Sequence, residues 1–296
     1  MRHIAQLTDA CPSAVSLGFH QKGKAMNVNQ KVIVVTGAGN GMGRETALEL
    51  LRRGATVAAV DISQSALSET ITLANASANR ISTHVVDITN LEQVKALPAA
   101  VIAAHGTVDG LINVAGIIHK FRKVNDLSYD EIHRVMNVNY FGTVHMVKEF
   151  LPHLLQRPAA QILNIASMGG YLPVPGQTIY CSSKAAVKLF TEGLRAELTG
   201  TNVGVNVLFP GAIATNISVN SGAATQAEVD AMQKQSTSSI KTTPADVAGK
   251  LIVGAFEGNP FHSFVGSDAK LMYWLSRIMP EGAANLIQKQ MASLLK

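Results

Sequence analysis

The sequence predicts an α/β protein built on a parallel sheet, and two observations support this fold class. Short apolar runs rich in β-branched residues alternate with longer segments of helical periodicity along most of the chain. Such alternation is typical of parallel strands that are joined by helical crossovers. In addition, the first apolar run ends in a glycine-rich turn that leads directly into a helical pattern. Strands are expected at 31–36, 56–61, 81–86, 110–114, 161–166, 203–209 and 262–265.

The composition fits a folded chain that associates with other subunits. The chain has 296 residues, enough for one large domain or two small ones, and 47% of them are hydrophobic while only 15% are charged. Because this charged fraction is low, we expect partner subunits to cover part of the surface, as in a homodimer or homotetramer. The net charge of +5 comes from scattered lysines and arginines without interleaved aromatic residues, so no nucleic-acid partner is expected.

Cysteine content, hydropathy and the N-terminal segment bear on the cellular setting. Two cysteines, Cys11 and Cys181, cannot form a disulfide framework, which favours a reducing, cytoplasmic location. No run reaches the ~18 consecutive apolar residues of a membrane-spanning helix. Residues 1–26 are polar and lack the apolar core and cleavage site of a secretory signal. We therefore expect residues 1–29 to be a loosely ordered extension and residues 30–296 to form one domain that begins near Gln30.

The turn after the first strand has the composition of a phosphate-binding loop. Four glycines occur among residues 37–43, in a Thr-Gly-x-x-x-Gly-x-Gly pattern that begins at Thr36. The backbone amides of such a turn and the dipole of the following helix both favour an anion such as a pyrophosphate. The pattern is not the GxGxxG fingerprint, since Arg44 stands where the third glycine would fall, and an ordinary tight turn is the alternative. The residues expected at the cofactor are Gly37, Asn40, Gly41, Met42 and Gly43.

A carboxylate, Asp61, ends the second predicted strand, 18 residues after Gly43. An acidic side chain at this position can accept hydrogen bonds from the ribose hydroxyls of NAD, and it repels the 2′-phosphate of NADP. Arg44 lies on the helix beyond the turn and gives NADP no strong support. Asp61 therefore predicts NAD as the cofactor, with NADP less expected. The alternative is a carboxylate that only caps the loop at the strand end.

Polar residues also follow the later strands. Asp87 is expected to accept a hydrogen bond from the adenine amino group, and its neighbour Ile88 is expected to contact the cofactor as well. Asn113 is expected to tie neighbouring strands together beneath the cofactor. Simple polarity at strand ends is the alternative for each. A long helical pattern over 128–155 is interrupted at its centre by Asn137 and Asn139. Buried amides there need hydrogen-bond partners, and a satisfied core amide is the alternative to a role in the site.

Tyr180 and Lys184 are four residues apart in a segment that is expected to be helical to about residue 198, so their side chains share one helix face. An ammonium near a phenol favours the phenolate, which predicts that the pKa of Tyr180 falls from about 10 toward the working pH. A tyrosine tuned in this way can exchange a proton with an alcohol oxygen. The fifth strand delivers Ser167 at its carboxyl end, where such sheets face their ligands. The alternative is an ordinary helix surface.

Two later segments have compositions that suggest a cover for the site. Residues 212–243 are rich in Ser, Thr, Asn, Gln and Ala, with a short helix expected at 227–234, and this is typical of a lid. Residues 270–296 carry apolar side chains at helical spacing. We expect these helices to pack against the core or a neighbouring subunit. The alternatives are a cover for an apolar substrate or peripheral contact with a membrane surface.

These motifs, in this order and at these intervals, resemble the short-chain dehydrogenase/reductase family. The resemblance covers about Lys31 to Val265. It rests on Thr36-Gly37-x-x-x-Gly41-x-Gly43, Asn113-Val114-Ala115-Gly116, Asn139, Ser167, Tyr180-x-x-x-Lys184 and Pro210-Gly211. Val114 stands where the family commonly has a second asparagine, a departure that concerns strand packing. The resemblance implies a single doubly wound, Rossmann-like domain with a seven-stranded parallel sheet and helices on both faces.

The resemblance also implies roles for individual residues. Tyr180 would be the general acid or base, Lys184 would lower its pKa and hold the nicotinamide ribose, and Ser167 would bind the substrate oxygen. Asn139 would fix a water that relays protons toward Lys184. Further cofactor contacts are implied for Pro210, Ile213 and Thr215. Many members of the family are dimers or tetramers built on the two long helices expected at 128–155 and 180–198.

The expected function is therefore an NAD-preferring oxidoreductase that interconverts a secondary alcohol and a ketone in a small, apolar or lipid-like substrate. An NADP-dependent carbonyl reductase of the same family is one alternative. A non-catalytic NAD-binding redox sensor or scaffold is a second, and an enzyme that acts on sterol- or retinoid-like lipids at a membrane surface is a third. No metal site is expected, because the nine histidines show no ligand spacing.

Overall fold

A parallel sheet of seven strands forms the centre of the computed structural model, which describes residues 25–228 and 242–291. Its strands are β1 Val32–Thr36, β2 Thr56–Asp61, β3 Ile81–Val85, β4 Gly110–Asn113, β5 Ala160–Ile165, β6 Val203–Pro210 and β9 His262–Val265. They lie in the order β3-β2-β1-β4-β5-β6-β9, and every pairing is parallel. The order reverses beside β1, so a crevice opens at the carboxyl ends of β1 and β4, where such sheets bind their ligands.

Helices cover both faces of the sheet. They are α1 Gly41–Arg52, α2 Gln64–Ala74, α3 Leu91–His105, α4 Tyr129–Met136, α5 Gly142–Leu154, α6 Thr178–Glu197, α7 Ile217–Asn220, α8 Ala245–Gly258, α9 Ser267–Ile278 and α10 Pro280–Met291. One face packs on α1 and α8, with Leu50 and Phe256 fully buried. The other face packs on α3, α5 and α6, with Phe150 fully buried. The predicted doubly wound α/β fold is confirmed.

The predicted strands agree with the observed ones to within one residue at each end. The start of the domain differs more. Met26 and Val28 are buried in the same cluster as α1 and α8, and their backbone amides donate to Glu257 at 2.9 and 3.2 Å. The folded domain therefore begins by Met26 and not near Gln30, because the apolar side chains of these two residues complete the core beneath α8.

The long helix predicted over 128–155 is divided into α4 and α5 by a π-helical turn, Asn137–Phe141. Ser128 caps α4 in a reciprocal capping box with Glu131, which explains why the helix begins there. A π-turn inserts a residue into the helix and turns side chains away from their α-helical positions, and such turns are frequent at functional sites. Here the turn contains Asn139, whose side chain is fully buried.

The segment predicted as a lid starts and ends on one small ladder. β7 Ile213–Ala214 pairs with β8 Thr243–Pro244, and the Thr243 amide donates to the Ala212 carbonyl at 2.8 Å. Most of the helix predicted at 227–234 lies outside the described residues. This ladder has no periodic signal in the sequence, since each strand contributes two residues.

The C-terminal helices α9 and α10 pack against the loop that follows Ser167. Leu172 of that loop is buried together with Met272, Ala283 and Ile287. The packing onto the core that the sequence predicted is therefore observed, and it falls on a loop of the candidate site. Within residues 25–228 and 242–291, no helix is both long and apolar enough to cross a membrane.

Candidate active site

The glycine-rich turn between β1 and α1 forms the floor of a large cleft at the carboxyl edge of the sheet. Gly41 begins α1 with φ +50°, a conformation that favours glycine. Gly43 lies so close to the chain that a Cβ there would overlap the Gly37 carbonyl oxygen. The turn therefore folds back tightly on itself and leaves the N-terminal amides of α1 facing the cleft, an arrangement that suits an anion.

The cleft has a volume of about 750 Å³, and most of the residues predicted to hold a cofactor line it. They are Gly37, Asn40, Gly41, Met42, Gly43, Asp61, Asp87, Ile88 and Thr215. Thr215 lies opposite the glycine turn, since a Cβ on Gly41 would be 3.3 Å from the Thr215 Cγ2. The turn and the start of the 212–243 segment thus face each other across the cleft.

Asp61 is held firmly at the end of β2. Its Oδ2 accepts a hydrogen bond from the Gly39 amide at 2.9 Å, and its Oδ1 accepts one from the Ser63 amide at 3.0 Å. The capping role considered as the alternative is therefore real. It does not preclude a ligand, because an ionised carboxylate has about four acceptor positions and only two are used here.

Asp87 also lines the cleft, and its Oδ1 accepts from the amide and the hydroxyl of Thr89 at 2.9 and 2.7 Å. Asn113 is buried and does not line the cleft. Its Nδ2 donates to Asn164 Oδ1 at 2.9 Å, and Asn164 in turn donates to Thr191 on α6 at 3.0 Å. This chain of side chains ties β4, β5 and α6 together beneath the site, so Asn113 supports the site from below.

Lys184 lies close to Asn139 and Gly116. Lys184 is 4% exposed, and its Nζ donates to the Ile165 carbonyl at 3.0 Å. A Cβ placed on Gly116 would be 3.1 Å from Lys184 Nζ and 3.3 Å from Asn139 Oδ1, so the absence of a side chain at 116 leaves room for both groups. Burial in this setting lowers the pKa of Lys184 to about 8.

Asn139 is held in a single orientation by three hydrogen bonds. Its Oδ1 accepts from the Ile117 amide at 2.8 Å, and its Nδ2 donates to the Ile117 carbonyl and to Ser183 Oγ, both at 2.9 Å. Its backbone carbonyl accepts from Thr143 at 2.8 Å. The side chain is therefore a satisfied core amide that also joins the loop after β4 to the helix that carries Tyr180.

Ser167 follows β5 and meets Tyr180 of α6. The Ser167 Oγ accepts from the Gly169 amide at 3.0 Å. A Cβ placed on Gly169 would lie 3.6 Å from Ser167 Oγ and 3.5 Å from the Tyr180 ring, so these two side chains are neighbours. Tyr180 is half-buried. The structure thus brings together Ser167, Tyr180, Lys184 and Asn139 from three separate elements.

The pKa of Tyr180 shifts in the direction opposite to the one predicted. Burial raises the pKa of Tyr180 to about 12, and the neighbouring Ser167 hydroxyl offsets only part of that effect. The prediction considered the ammonium of Lys184 and not the loss of water around the phenol, which disfavours the phenolate. The protein groups alone therefore keep Tyr180 as a phenol at neutral pH.

Pro210 and Ile213 do not line the cleft. Pro210 ends β6 and is buried, and Ile213 is half-buried in the β7–β8 ladder. The sequence motif included Thr36 but assigned it no role. Its hydroxyl accepts from the Val114 and Ala115 amides at 3.0 and 3.2 Å and so joins the two loops of the crevice. The sequence signal that could have indicated this role is the position of Thr36 at the end of the first predicted strand.

The donor set and shape of the cleft fit a dinucleotide. The glycine-rich turn and the N-terminal amides of α1 suit a pyrophosphate, and Asp61 suits a ribose. Lys184 is a buried cation with donor capacity beyond its bond to Ile165. When bound, a nicotinamide dinucleotide supplies hydride transfer.

Comparison with known proteins agrees with this geometry. Residues 31–226 match the family described as short chain dehydrogenase. SadH of Mycobacterium tuberculosis, an oxidoreductase by name, is 33% identical over 259 residues, which cover 87% of this chain and 94% of SadH.

Two solved structures of similar fold contain different cofactors. A short chain dehydrogenase/reductase from Burkholderia phymatum in complex with NAD has a TM-score of 0.77 and 28% identity, with 86% of this chain and 96% of that chain covered. A short chain dehydrogenase from Burkholderia cenocepacia in complex with NADP has a TM-score of 0.71 and 28% identity, with 92% and 100% covered. This chain therefore belongs to the short-chain dehydrogenase/reductase family of NAD(P)-dependent oxidoreductases.

Proposed function

We propose that this enzyme interconverts a secondary alcohol and a ketone, that it prefers NAD(H), and that its substrate is small and apolar or lipid-like. The observation that carries this proposal is the convergence of Ser167, Tyr180 and the buried Lys184 beside a cleft that suits a dinucleotide. The apolar loop and C-terminal helices beside Ser167 support an apolar substrate.

In this proposal the two hydroxyls hold the reacting oxygen of the substrate. In the reductive direction, Tyr180 donates its proton to the carbonyl oxygen as negative charge develops there, while Ser167 donates a hydrogen bond to the same oxygen. The phenol form that burial favours is the form required for this step. Lys184, with a pKa of about 8, can return a proton near neutral pH, and Asn139 keeps the adjoining loop and helix in place.

Replacing Tyr180 by Phe should lower kcat/KM about 10³-fold while leaving the Kd for NADH within about twofold, because only the proton donor is lost. The measurement is a panel of alcohols and ketones followed by nicotinamide absorbance, with NADH binding measured separately. Tyr129→Phe is the matched control, since Tyr129 is an exposed tyrosine and should keep full activity. Turnover by Tyr180→Phe at the rate of the unchanged enzyme would contradict the proposal.

The preference for NAD rests on Asp61 and on the engagement of Arg44. Arg44 donates to Glu69 at 2.7 Å and to Thr70 Oγ1 at 3.2 Å, so its guanidinium is turned toward α2 and away from a 2′-phosphate. Asp61 would repel that phosphate from the end of β2. The two Burkholderia structures are divided between NAD and NADP, so the argument depends on these two residues.

The KM for NAD(H) should therefore be at least about tenfold lower than the KM for NADP(H). In Asp61→Ser the ratio should move toward one, because the repulsion is removed. Glu92→Gln serves as a control, since it changes an exposed acid that does not line the cleft, and it should leave the ratio unchanged. If the unchanged enzyme has a lower KM for NADP(H) than for NAD(H), the proposed preference for NAD(H) is wrong.

Two exposed apolar surfaces suggest how the protein associates. On α6, Leu189 is 65% exposed and is proposed to contact a second copy of the chain, in line with the low charged fraction.

On α9, Trp274 is 55% exposed between Leu271 and Ile278, with the exposed cations Lys270 and Arg277 alongside. This second surface is proposed to contact an anionic lipid surface, since a Trp with flanking basic residues suits the membrane interface.

Light scattering should give a dimer or tetramer that Leu189→Glu reduces to a smaller species and Trp274→Glu leaves intact. Co-sedimentation with phosphatidylserine vesicles should be lost in Trp274→Glu and kept in Leu189→Glu, because a charge in an apolar contact is costly. Each variant is the control for the other. A monomeric wild type would exclude the first contact, and a wild type that stays in the supernatant would exclude the second.

A further inference from the structure

The first turn of α9 contacts the loop that follows Ser167. The Tyr171 hydroxyl donates a hydrogen bond to the Ala269 carbonyl at 2.5 Å. Tyr171 belongs to a short turn whose amides bond back to Ser167 and Met168, with the Gly170 amide donating to the Ser167 carbonyl at 2.8 Å. The position of the Ser167 turn therefore depends on a residue about 100 positions later in the chain.

The same turn of α9 also contacts the loop that leads to Thr215. The Asp268 Oδ2 accepts a hydrogen bond from the Ala212 amide at 3.1 Å. The Ala212 carbonyl is held in turn by Thr243 in the β7–β8 ladder, and Thr215 follows directly after that ladder at the wall of the cleft. Asp268 thus fixes the segment that carries Thr215, one of the implied cofactor contacts.

The backbone around Asp268 packs closely against its carboxylate. A Cβ on Gly211 would overlap the Asp268 carboxylate, so no side chain separates the acid from this loop. Gly266, with φ +96°, makes the bend that brings Asp268 there, and a Cβ on Gly266 would also overlap that carboxylate. The Asp268 charge lies near Tyr171 as well, and together with burial it raises the pKa of that tyrosine.

We propose that Asp268 and Tyr171 are positioning residues, through which the first turn of α9 holds the two loops on either side of the reaction centre at a fixed separation. Asp268 acts on the cofactor side through the Ala212 amide. Tyr171 acts on the Ser167 side through the Ala269 carbonyl. The chemical step that this separation serves is the one given under the proposed function, but the two contacts and their effects on cofactor binding and loop order do not depend on that assignment.

The test separates the two sides by measuring NADH binding and turnover in single variants of the full chain. Asp268→Ala should raise the Kd for NADH about tenfold, and Asp268→Asn should restore part of the affinity, because an amide oxygen can still accept from Ala212. Tyr171→Phe should leave the Kd for NADH within about twofold and lower kcat about tenfold, since only the Ser167 side loses its hydrogen bond.

Two matched controls distinguish positioning from general destabilisation. Asp246→Ala removes an exposed acid from the first turn of α8, and Tyr273→Phe removes a buried hydroxyl on α9 that bonds His262 at 2.8 Å. Both controls should keep the Kd and kcat of the unchanged enzyme.

Amide hydrogen exchange gives a readout that needs no substrate. Tyr171→Phe should speed exchange in residues 168–172 and leave exchange in residues 211–216 unchanged. Asp268→Ala should speed exchange in residues 211–216 and leave exchange in residues 168–172 unchanged. The proposal is overturned if Asp268→Ala binds NADH as tightly as the unchanged enzyme, or if both variants lose binding and turnover in equal proportion. If the unchanged enzyme turns over no alcohol or ketone, the proposed function fails, while the Kd and exchange results still decide this inference.

Discussion

The burial of the Lys184 ammonium is the interaction on which the rest of the site depends. A buried cation is unfavourable unless its donors find partners, and among residues 25–228 and 242–291 Lys184 donates to one acceptor, the Ile165 carbonyl. Its lowered pKa is the direct sign of that cost. The surrounding structure is arranged to make the burial possible, with a glycine at 116 where any side chain would crowd the ammonium, and with Asn139 fixed beside it.

The sheet brings these groups together because its strands all end at the same edge. The glycine turn follows β1, Asp61 ends β2, Gly116 follows β4 and Ser167 follows β5. Tyr180 and Lys184 come from α6, which is joined to the sheet through the Asn113, Asn164 and Thr191 side chains. A substitution that shifts any of these strands would therefore also displace the site residues that follow its carboxyl end. Asn113 can therefore influence the site through the strands and the helix that it joins, without lining the cleft.

Much of this arrangement could be predicted from the sequence, because it depends on local pattern. Period and composition located each strand of the seven-stranded sheet to within one residue at each end, and the order of the motifs predicted which residues meet at the crevice. What could not be predicted depends on contacts between distant residues. The raised pKa of Tyr180 follows from burial, which a helical spacing cannot measure. The contacts of Asp268 and Tyr171 join residues 56 and 98 positions apart, and neither has a local signature.

The cost of burying Lys184 can be measured directly by comparing the free energy of unfolding of the wild type with that of Lys184→Met between pH 7 and 9.5. The folded-state pKa of about 8 lies below the ordinary 10.5, so the unfolded chain binds more protons between these values and wild-type stability should rise with pH. Lys184→Met should be more stable at pH 7, by up to about 3 kcal/mol, and this advantage should shrink as the pH rises. A difference that stays constant with pH, or a variant that is less stable at pH 7, would contradict the account.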